Sequence, residues 1–271
     1  MPWKLEDIAL VFITCPRDPA YISATLASAF IADVGIYRFK DIVVAVDAPD
    51  LSCVDWLHRH RKIRWVARTT SESEQIAGFS LHRKGCFSYW RALSLVGQDA
   101  RGIIVCEDDL TFRDGWTVKL LESLNELERD QIAAFLLTAY SASNHEKAYL
   151  RRGKYYSSYL AFEFYGTQMM FFPTGEVQPI RKLIWDNGVE AYSEPYDLLI
   201  KRRAIERQHL YTTRHSLVQH IGRRSTGLGD GRHQSPSFDS QWPESTSADD
   251  SLTTGTRTSV EERPNNPDGH R

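Results

Sequence analysis

The chain lacks most of the features that mark specialised protein classes. Its four cysteines (Cys15, Cys53, Cys86, Cys106) lie scattered through 271 residues with no CxxC pair. That excludes a disulfide scaffold and a zinc-finger module and fits reduced thiols. Neither sign of charge prevails: 33 Lys and Arg against 35 Asp and Glu leave a net charge of −2, so no general attraction to nucleic acid or anionic lipid is expected. Long hydrophobic runs are missing too. Stretches such as Ile8 to Cys15 fall far short of the roughly 20 residues that cross a bilayer. The opening MPWKLEDIAL has two acids and no usable apolar centre for a cleaved signal. These absences predict a cytoplasmic protein with no membrane anchor and no nucleic-acid partner. No internal repeat is evident, which disfavours solenoids and propellers. Neither GxGxxG nor GxxxxGK[ST] follows the first apolar run, so a nicotinamide-binding Rossmann protein and a P-loop NTPase lose ground.

What is present is a 42% apolar chain, enough to bury a sizeable core. Short β-branched runs (Ile8 to Thr14, Asp41 to Val46, Ile63 to Ala67, Gly102 to Cys106, Ala133 to Thr138) alternate with helical patterns. This predicts an α/β fold with one sheet covered by helices. Asp18 and Pro19 read as the cap and first position of a helix whose buried face is Ile22, Leu26, Ala29 and Phe30. A later helix repeats Val118, Leu121, Leu124 and Leu127, with Glu122, Glu126 and Glu128 toward solvent. Residues 239–271 hold four apolar side chains, ten Ser or Thr and three Pro, with seven acids against three bases. Such a segment cannot offset its ordering entropy by burial, so the reading is a single domain over 1–238 and a disordered acidic tail over 239–271.

In open α/β sheets, ligands bind beyond the carboxyl ends of the strands, and there the run Gly102 to Cys106 is followed by Glu107, Asp108 and Asp109. Adjacent carboxylates at a low-dielectric strand end repel one another, and a hard divalent cation is the usual solution. In extended chain Glu107 and Asp109 share a side and Asp108 faces the other, which gives DxD-like spacing with Glu in the first place. The plainer alternative is a solvated loop whose acid caps the next helix. Further on, His220 is followed by four glycines and three arginines up to Arg232. Glycines let backbone N–H groups approach an anion, and guanidinium groups match phosphate oxygens; a flexible lead into the tail is the alternative. His220 is a candidate third ligand beside Glu107 and Asp109, and an imidazole favours Mn²⁺ over Mg²⁺.

Four stretches in order resemble the N-acetylglucosaminyltransferase IV family. They are Thr14-Cys15-Pro16-Arg17 with Tyr21 to Leu26; Arg83 to Trp90; Glu107-Asp108-Asp109; and Glu194-Pro195-Tyr196-Asp197-Leu198-Leu199 followed by Ser216-Leu217-Val218-Gln219-His220-Ile221-Gly222. The resemblance spans roughly residues 8 to 232. The chain departs from the family in its length and in its 223–232 segment. The resemblance implies a glycosyltransferase A-type, Rossmann-like mixed sheet and an inverting, metal-dependent transfer of a sugar, GlcNAc or a related hexose, from a UDP-sugar to a hydroxyl of a glycan or other acceptor. It implies Thr14 and Arg17 near the uracil or ribose, Asp47 near the base and Asp108 near the ribose, although Asp47 also suits a simple turn. Arg223, Arg224 or Lys84 would assist the diphosphate. Asp197 is the candidate base, oriented by a helix N-terminus, with Glu194 behind it. Tyr165, Gly166 and Gln168, within the aromatic stretch Tyr155 to Phe172, are candidate acceptor contacts, though aromatics more often serve the core. The competing readings are a galactosyltransferase of the collagen or lipopolysaccharide type, a nucleotidyltransferase, and a non-catalytic nucleotide-sugar-binding module.

Overall fold

The computed structural model describes residues 1–17, 20–51, 62–97, 99–142, 149–164, 166–207, 209–222, 234–241 and 243. The alternation of buried side chains begins in β1 (Ile8–Thr14), where Ile8, Leu10 and Phe12 join one apolar layer and Val11 the other. Such a strand is buried on both faces and needs helices on each. They are supplied by α1 (Ile22–Ala32), which follows β1, and by elements further along the chain.

Next come β2 (Asp41–Val46), β3 (Ile63–Ala67), α2 (Thr70–Ile76), α3 (Leu81–Ala92) and β4 (Gly102–Cys106). A short β5 (Leu110–Phe112) precedes α4 (Trp116–Arg129) and β6 (Leu137–Thr138). The chain continues through β7 (Tyr149–Arg152), β8 (Tyr156–Leu160), β9 (Met169–Pro173) and α5 (Thr174–Ile184). It ends in α6 (Tyr196–Glu206), β10 (His209–Thr213) and β11 (Val218–His220). Nine strands form one mixed sheet in the order β3-β2-β1-β4-β9-β6-β10-β8-β7, and β5 pairs with β11 in a separate ribbon. Strands β3, β2, β1 and β4 run parallel, as do β6 and β10, whereas β9 is antiparallel to both β4 and β6. One layer packs α1 and α4 on the sheet and the other packs α3, α5 and α6. No helix among the described residues is long and apolar enough to cross a membrane.

The α4 layer is anchored by Trp116, fully buried, stacked at 5.6 Å on Phe39 and donating its indole N–H to the Ala29 carbonyl at 3.1 Å. Trp116→Ala is expected to cost about 3–5 kcal/mol, read as a lower midpoint in urea unfolding.

The first four expected strands stand within their predicted bounds. The fifth shrinks to Leu137–Thr138, because only those two residues ladder with Phe171 and Met170. Helix α1 begins at Ile22 with Tyr21 as its cap, so the helix starts later than Asp18 and Pro19 suggested; those two lie outside the described residues. The buried face of α4 is Trp116, Leu120, Ser123, Leu124 and Leu127, and Val118 is 58% exposed. Polar residues can be buried there because the Ser123 hydroxyl donates to the Tyr155 carbonyl at 2.8 Å and the Thr117 hydroxyl to Asp33 at 2.6 Å. Glu126, expected to face solvent, instead accepts the backbone N–H groups of Lys154, Tyr155 and Tyr156. The packed body continues past 238: Arg113 donates to the carbonyls of Ser237 and Ser240 at 2.9 and 2.7 Å. Apart from 239–241 and 243, the acidic tail lies outside the described residues.

Candidate functional site

Neighbouring strands on the two sides of β1 connect in opposite senses, β2 and β3 lying to one side and β4 to the other. This is the switch point at which an open sheet leaves a crevice beyond its strand ends. Thr14 ends β1 and Glu107 directly follows β4. The alternation of β4, with Ile103 and Val105 in the α3/α6 layer and Cys106 in the α1/α4 layer, carries into the acidic triplet. Glu107 meets side chains from the α6 side and Asp108 those from the α1 side.

Asp108 is buried and held from three directions. The Thr14 hydroxyl donates to its Oδ2 at 2.6 Å, Arg17 pairs closely with its Oδ1, and its backbone carbonyl accepts the Thr25 hydroxyl at 2.6 Å. Thr25 in turn accepts the Leu110 N–H at 2.9 Å. With a donor on each carboxylate oxygen, Asp108 holds the loop to β1 and to the segment after it. Arg17 likewise turns inward, bridging Asp108 and Asp109, the latter at 3.1 Å, and lying over the Tyr21 ring.

Strand β5 departs immediately after Asp109, so neither Asp108 nor Asp109 caps a helix. Its partner β11 places His220 opposite Leu110, and the Ile221 N–H donates to the Asp109 carbonyl at 2.8 Å. This ribbon brings His220 Nε2 to 3.1 Å from Asp109 Oδ2. Glu107, Asp109 and His220 each offer a ligand atom within 4.8 Å of the others. Asp109 Oδ1 is buried with no hydrogen-bond partner among the described residues, an acceptor that a cation would satisfy. A Cβ at Gly222 would overlap Asp109 Oδ2 and stand 2.9 Å from His220 Cε1, so a residue without a side chain keeps this space open. Two carboxylates, one of them with an unsatisfied oxygen, and an imidazole fit a hard or borderline divalent cation.

The charges are mutually adjusted. Burial, then the Asp109 charge, push Glu107 up to about 7, against hydrogen bonds from Thr167 and Tyr196. Burial also drives Asp108 up to about 6 against the pull of Arg17. For Asp109 burial acts upward, but His220 and Arg17 outweigh it and hold the carboxyl below its usual range. Burial disfavours charged His220, yet the Asp109 hydrogen bond and charge prevail and raise it.

Between the ordinary carboxylate values near 4 and these raised ones, the folded chain keeps protons that the unfolded chain releases. Without a cation, Glu107 and Asp108 therefore make stability fall as pH rises through that window. His220 acts in the same direction, because its contribution is lost as pH climbs through its raised value. His215, lowered to about 4 by burial and then by Arg214, acts the opposite way but cancels when variants are compared. In chelator, the stability advantage of Glu107→Gln over the parent is expected to be larger at pH 8 than at pH 5, measured by thermal melts at both. Mn²⁺ should reverse the ranking at pH 8.

Other expected site residues are distributed as follows. Asp47 follows β2 and pairs closely with Arg68, while its N–H donates to the Thr14 carbonyl at 2.8 Å. Lys84 lies half-buried in the first turn of α3, in no ion pair among the described residues. Buried Gln168 lies at the site, since its carbonyl accepts the Glu107 N–H at 2.9 Å, and Gly166, with φ of +86°, stands just before it against the Gln168 side chain. Most of the aromatic stretch around them is core: Tyr156, Tyr159, Phe171 and Phe172 are buried in strands. Pro195 caps α6 and Asp197 stands exposed in its first turn; Glu194 is half-buried. Tyr165, Arg223 and Arg224 lie outside the described residues. Sequence reasoning passed over Thr167 and Tyr196, whose hydroxyls donate to Glu107 Oε1 at 2.9 and 3.2 Å. It also passed over the steric role of Gly222. Both tyrosine and glycine sat inside quoted motifs, and only the three-dimensional contact reveals their use.

No protein-family model matches the chain, and no curated protein matches it. Among solved structures, the chain is similar to 4-diphosphocytidyl-2C-methyl-D-erythritol synthase from Anaerococcus prevotii at 11% identity and a TM-score of 0.43, over 73% of this chain and 84% of that one. It is similar to an active-site mutant of LgtC at 13% identity and 0.45, over 72% and 69%. It is also similar to the galactosyltransferase LgtC in complex with donor and acceptor sugar analogues, at 13% identity and 0.41, over 71% and 69%.

Proposed function

We propose that this chain is a cation-assisted transferase of glycosyltransferase A type that takes a nucleotide sugar, with UDP as the nucleotide, and moves the sugar to an acceptor hydroxyl with inversion. The observation that carries the reading is the convergence of Glu107, Asp109 and His220 on one point beyond the sheet's switch. A bound Mn²⁺ or Mg²⁺ there supplies charge neutralisation for a departing diphosphate. Glu107, Asp109 and His220 would hold it, and Arg17 sets the charge and orientation of Asp109. Asp47, which follows β2, is the candidate contact to the nucleobase, and Lys84, Arg223 and Arg224 are the candidate cations for the phosphates. Gly166, Gln168 and Tyr165 are candidate acceptor contacts. A GlcNAc donor rests on the resemblance to the N-acetylglucosaminyltransferase IV family, and a galactosyl donor is the alternative that the same site chemistry admits.

Asp197 is the proposed base. In the transfer, the acceptor oxygen forms a bond to the anomeric carbon, the bond from that carbon to the phosphate oxygen breaks, and its electrons leave with the nucleoside diphosphate. The acceptor proton passes to Asp197 Oδ. Asp197 stands in the first turn of α6, and proton transfer completes as the hydroxyl acidifies in the transition state.

Thermal stabilisation against a panel of nucleotide sugars, with and without Mn²⁺, tests the donor and cation together. One uridine-linked sugar should raise the melting temperature only with metal; equal responses without metal would sink the reading. In Asp197→Asn, transfer is expected to fall by on the order of 10³-fold or more, with the nucleotide-induced stabilisation retained. Turnover at the parent rate in that variant would remove Asp197 from the role.

A further inference from the structure

Two hydroxyls from different parts of the chain end on one oxygen. Thr167 Oγ1 donates to Glu107 Oε1 at 2.9 Å and Tyr196 Oη donates to the same atom at 3.2 Å. Thr167 is buried in the segment leading into β9, next to Gln168, whose carbonyl already fixes the Glu107 backbone. Tyr196 is the first residue of α6, and its ring stacks on Tyr89 of α3 with centroids 4.7 Å apart. Tyr89 is itself 1% exposed and packs edge-on against Phe172 of β9. Neither donor is on a loose side chain.

A carboxylate oxygen has two lone-pair sites, and both sites of Oε1 are occupied by these donors. We infer that Tyr196 and Thr167 are positioning residues that hold Glu107 as a one-oxygen ligand, leaving Oε2 to face the cation point shared with Asp109 and His220. This rests on the proposed cation site and deepens it. Outer hydrogen-bond partners of this kind orient a ligand before binding, and their loss typically costs 10–100-fold in metal affinity. Tyr196 has a second consequence: it ties the first turn of α6, which carries Asp197, to a cation ligand. The proposed base and the proposed cation site are therefore registered to each other through a single phenol.

The test is Mn²⁺ affinity of the full chain, followed by the loss of the free-ion electron paramagnetic resonance signal, with no sugar nucleotide present. Thermal melts in chelator identify variants that fold. Tyr196→Phe and Thr167→Val are each expected to weaken Mn²⁺ binding by about 10–100-fold, while Thr167→Ser, which keeps the hydroxyl, stays within about threefold of the parent on the same scale. Asp109→Asn serves as the reference for the site itself. If Asp109→Asn loses Mn²⁺ but Tyr196→Phe and Thr167→Val bind as the parent does, the positioning inference is overturned and the cation site stands. If Thr167→Ser is as weak as Thr167→Val, the hydroxyl is not what matters and the inference is equally overturned. If Asp109→Asn binds as tightly as the parent, the cation site falls, and the inference with it.

Discussion

Asp109→Asn should leave a folded protein with cation-dependent turnover reduced by on the order of 10³-fold, because the substitution removes the carboxylate on which the cluster converges. Asp109 Oδ2 is shared by Arg17 and His220 at 3.1 Å each, and its Oδ1 is the buried unpartnered oxygen. An amide keeps the shape but loses the charge and replaces one acceptor with an NH₂ donor. In the position of Oδ2, that NH₂ would face the Arg17 guanidinium, a donor meeting a donor. Titration of Mn²⁺ into parent and variant, alongside turnover, checks the expectation. Parental turnover in the variant would show that the chemistry does not pass through this cluster.

Gly222→Ala is expected to damage the same site from outside the ligand set. The added methyl would occupy the volume of Asp109 Oδ2 and press on the His220 ring. Neither neighbour can retreat freely, since Arg17 holds the carboxylate and the β5–β11 pairing fixes the backbone under both. Forcing extra carbon into a packed site typically costs about 1–3 kcal/mol, and the displaced ligand should lower Mn²⁺ affinity by at least about tenfold, as lost ligand orientation does elsewhere. Isothermal titration with Mn²⁺ measures the affinity and a urea melt the stability. Unchanged values in both would mean that the cluster is looser than its distances imply.

The parallel half of the sheet was legible because its strands are buried on both faces and so read as unbroken β-branched runs; β1, β2, β3 and β4 all stand where the pattern puts them. The other half was not. Strand β7 is exposed throughout, and β9 reads in sequence as an aromatic cluster, so neither shows period-two alternation. The acidic triplet announced itself by three charges after an apolar run, and the side each faces followed from strand alternation. Thr14 and Arg17 were singled out for a nucleotide, and no motif showed that both also meet Asp108. No local pattern signals that a threonine hydroxyl will meet a carboxylate about ninety positions away, and the same holds for Thr167 and Tyr196 at Glu107.

The ribbon that seats His220 beside Asp109 pairs Leu110 with a residue about 110 positions later. Closing a loop of that size carries an entropic penalty that must be met before any local reward arrives. During synthesis the acidic triplet emerges about 110 residues ahead of His220, so the elements made first begin to pack while the triplet still lacks the imidazole. Competence therefore waits for His220, and until it emerges the acidic triplet has Arg17 but no imidazole beside it.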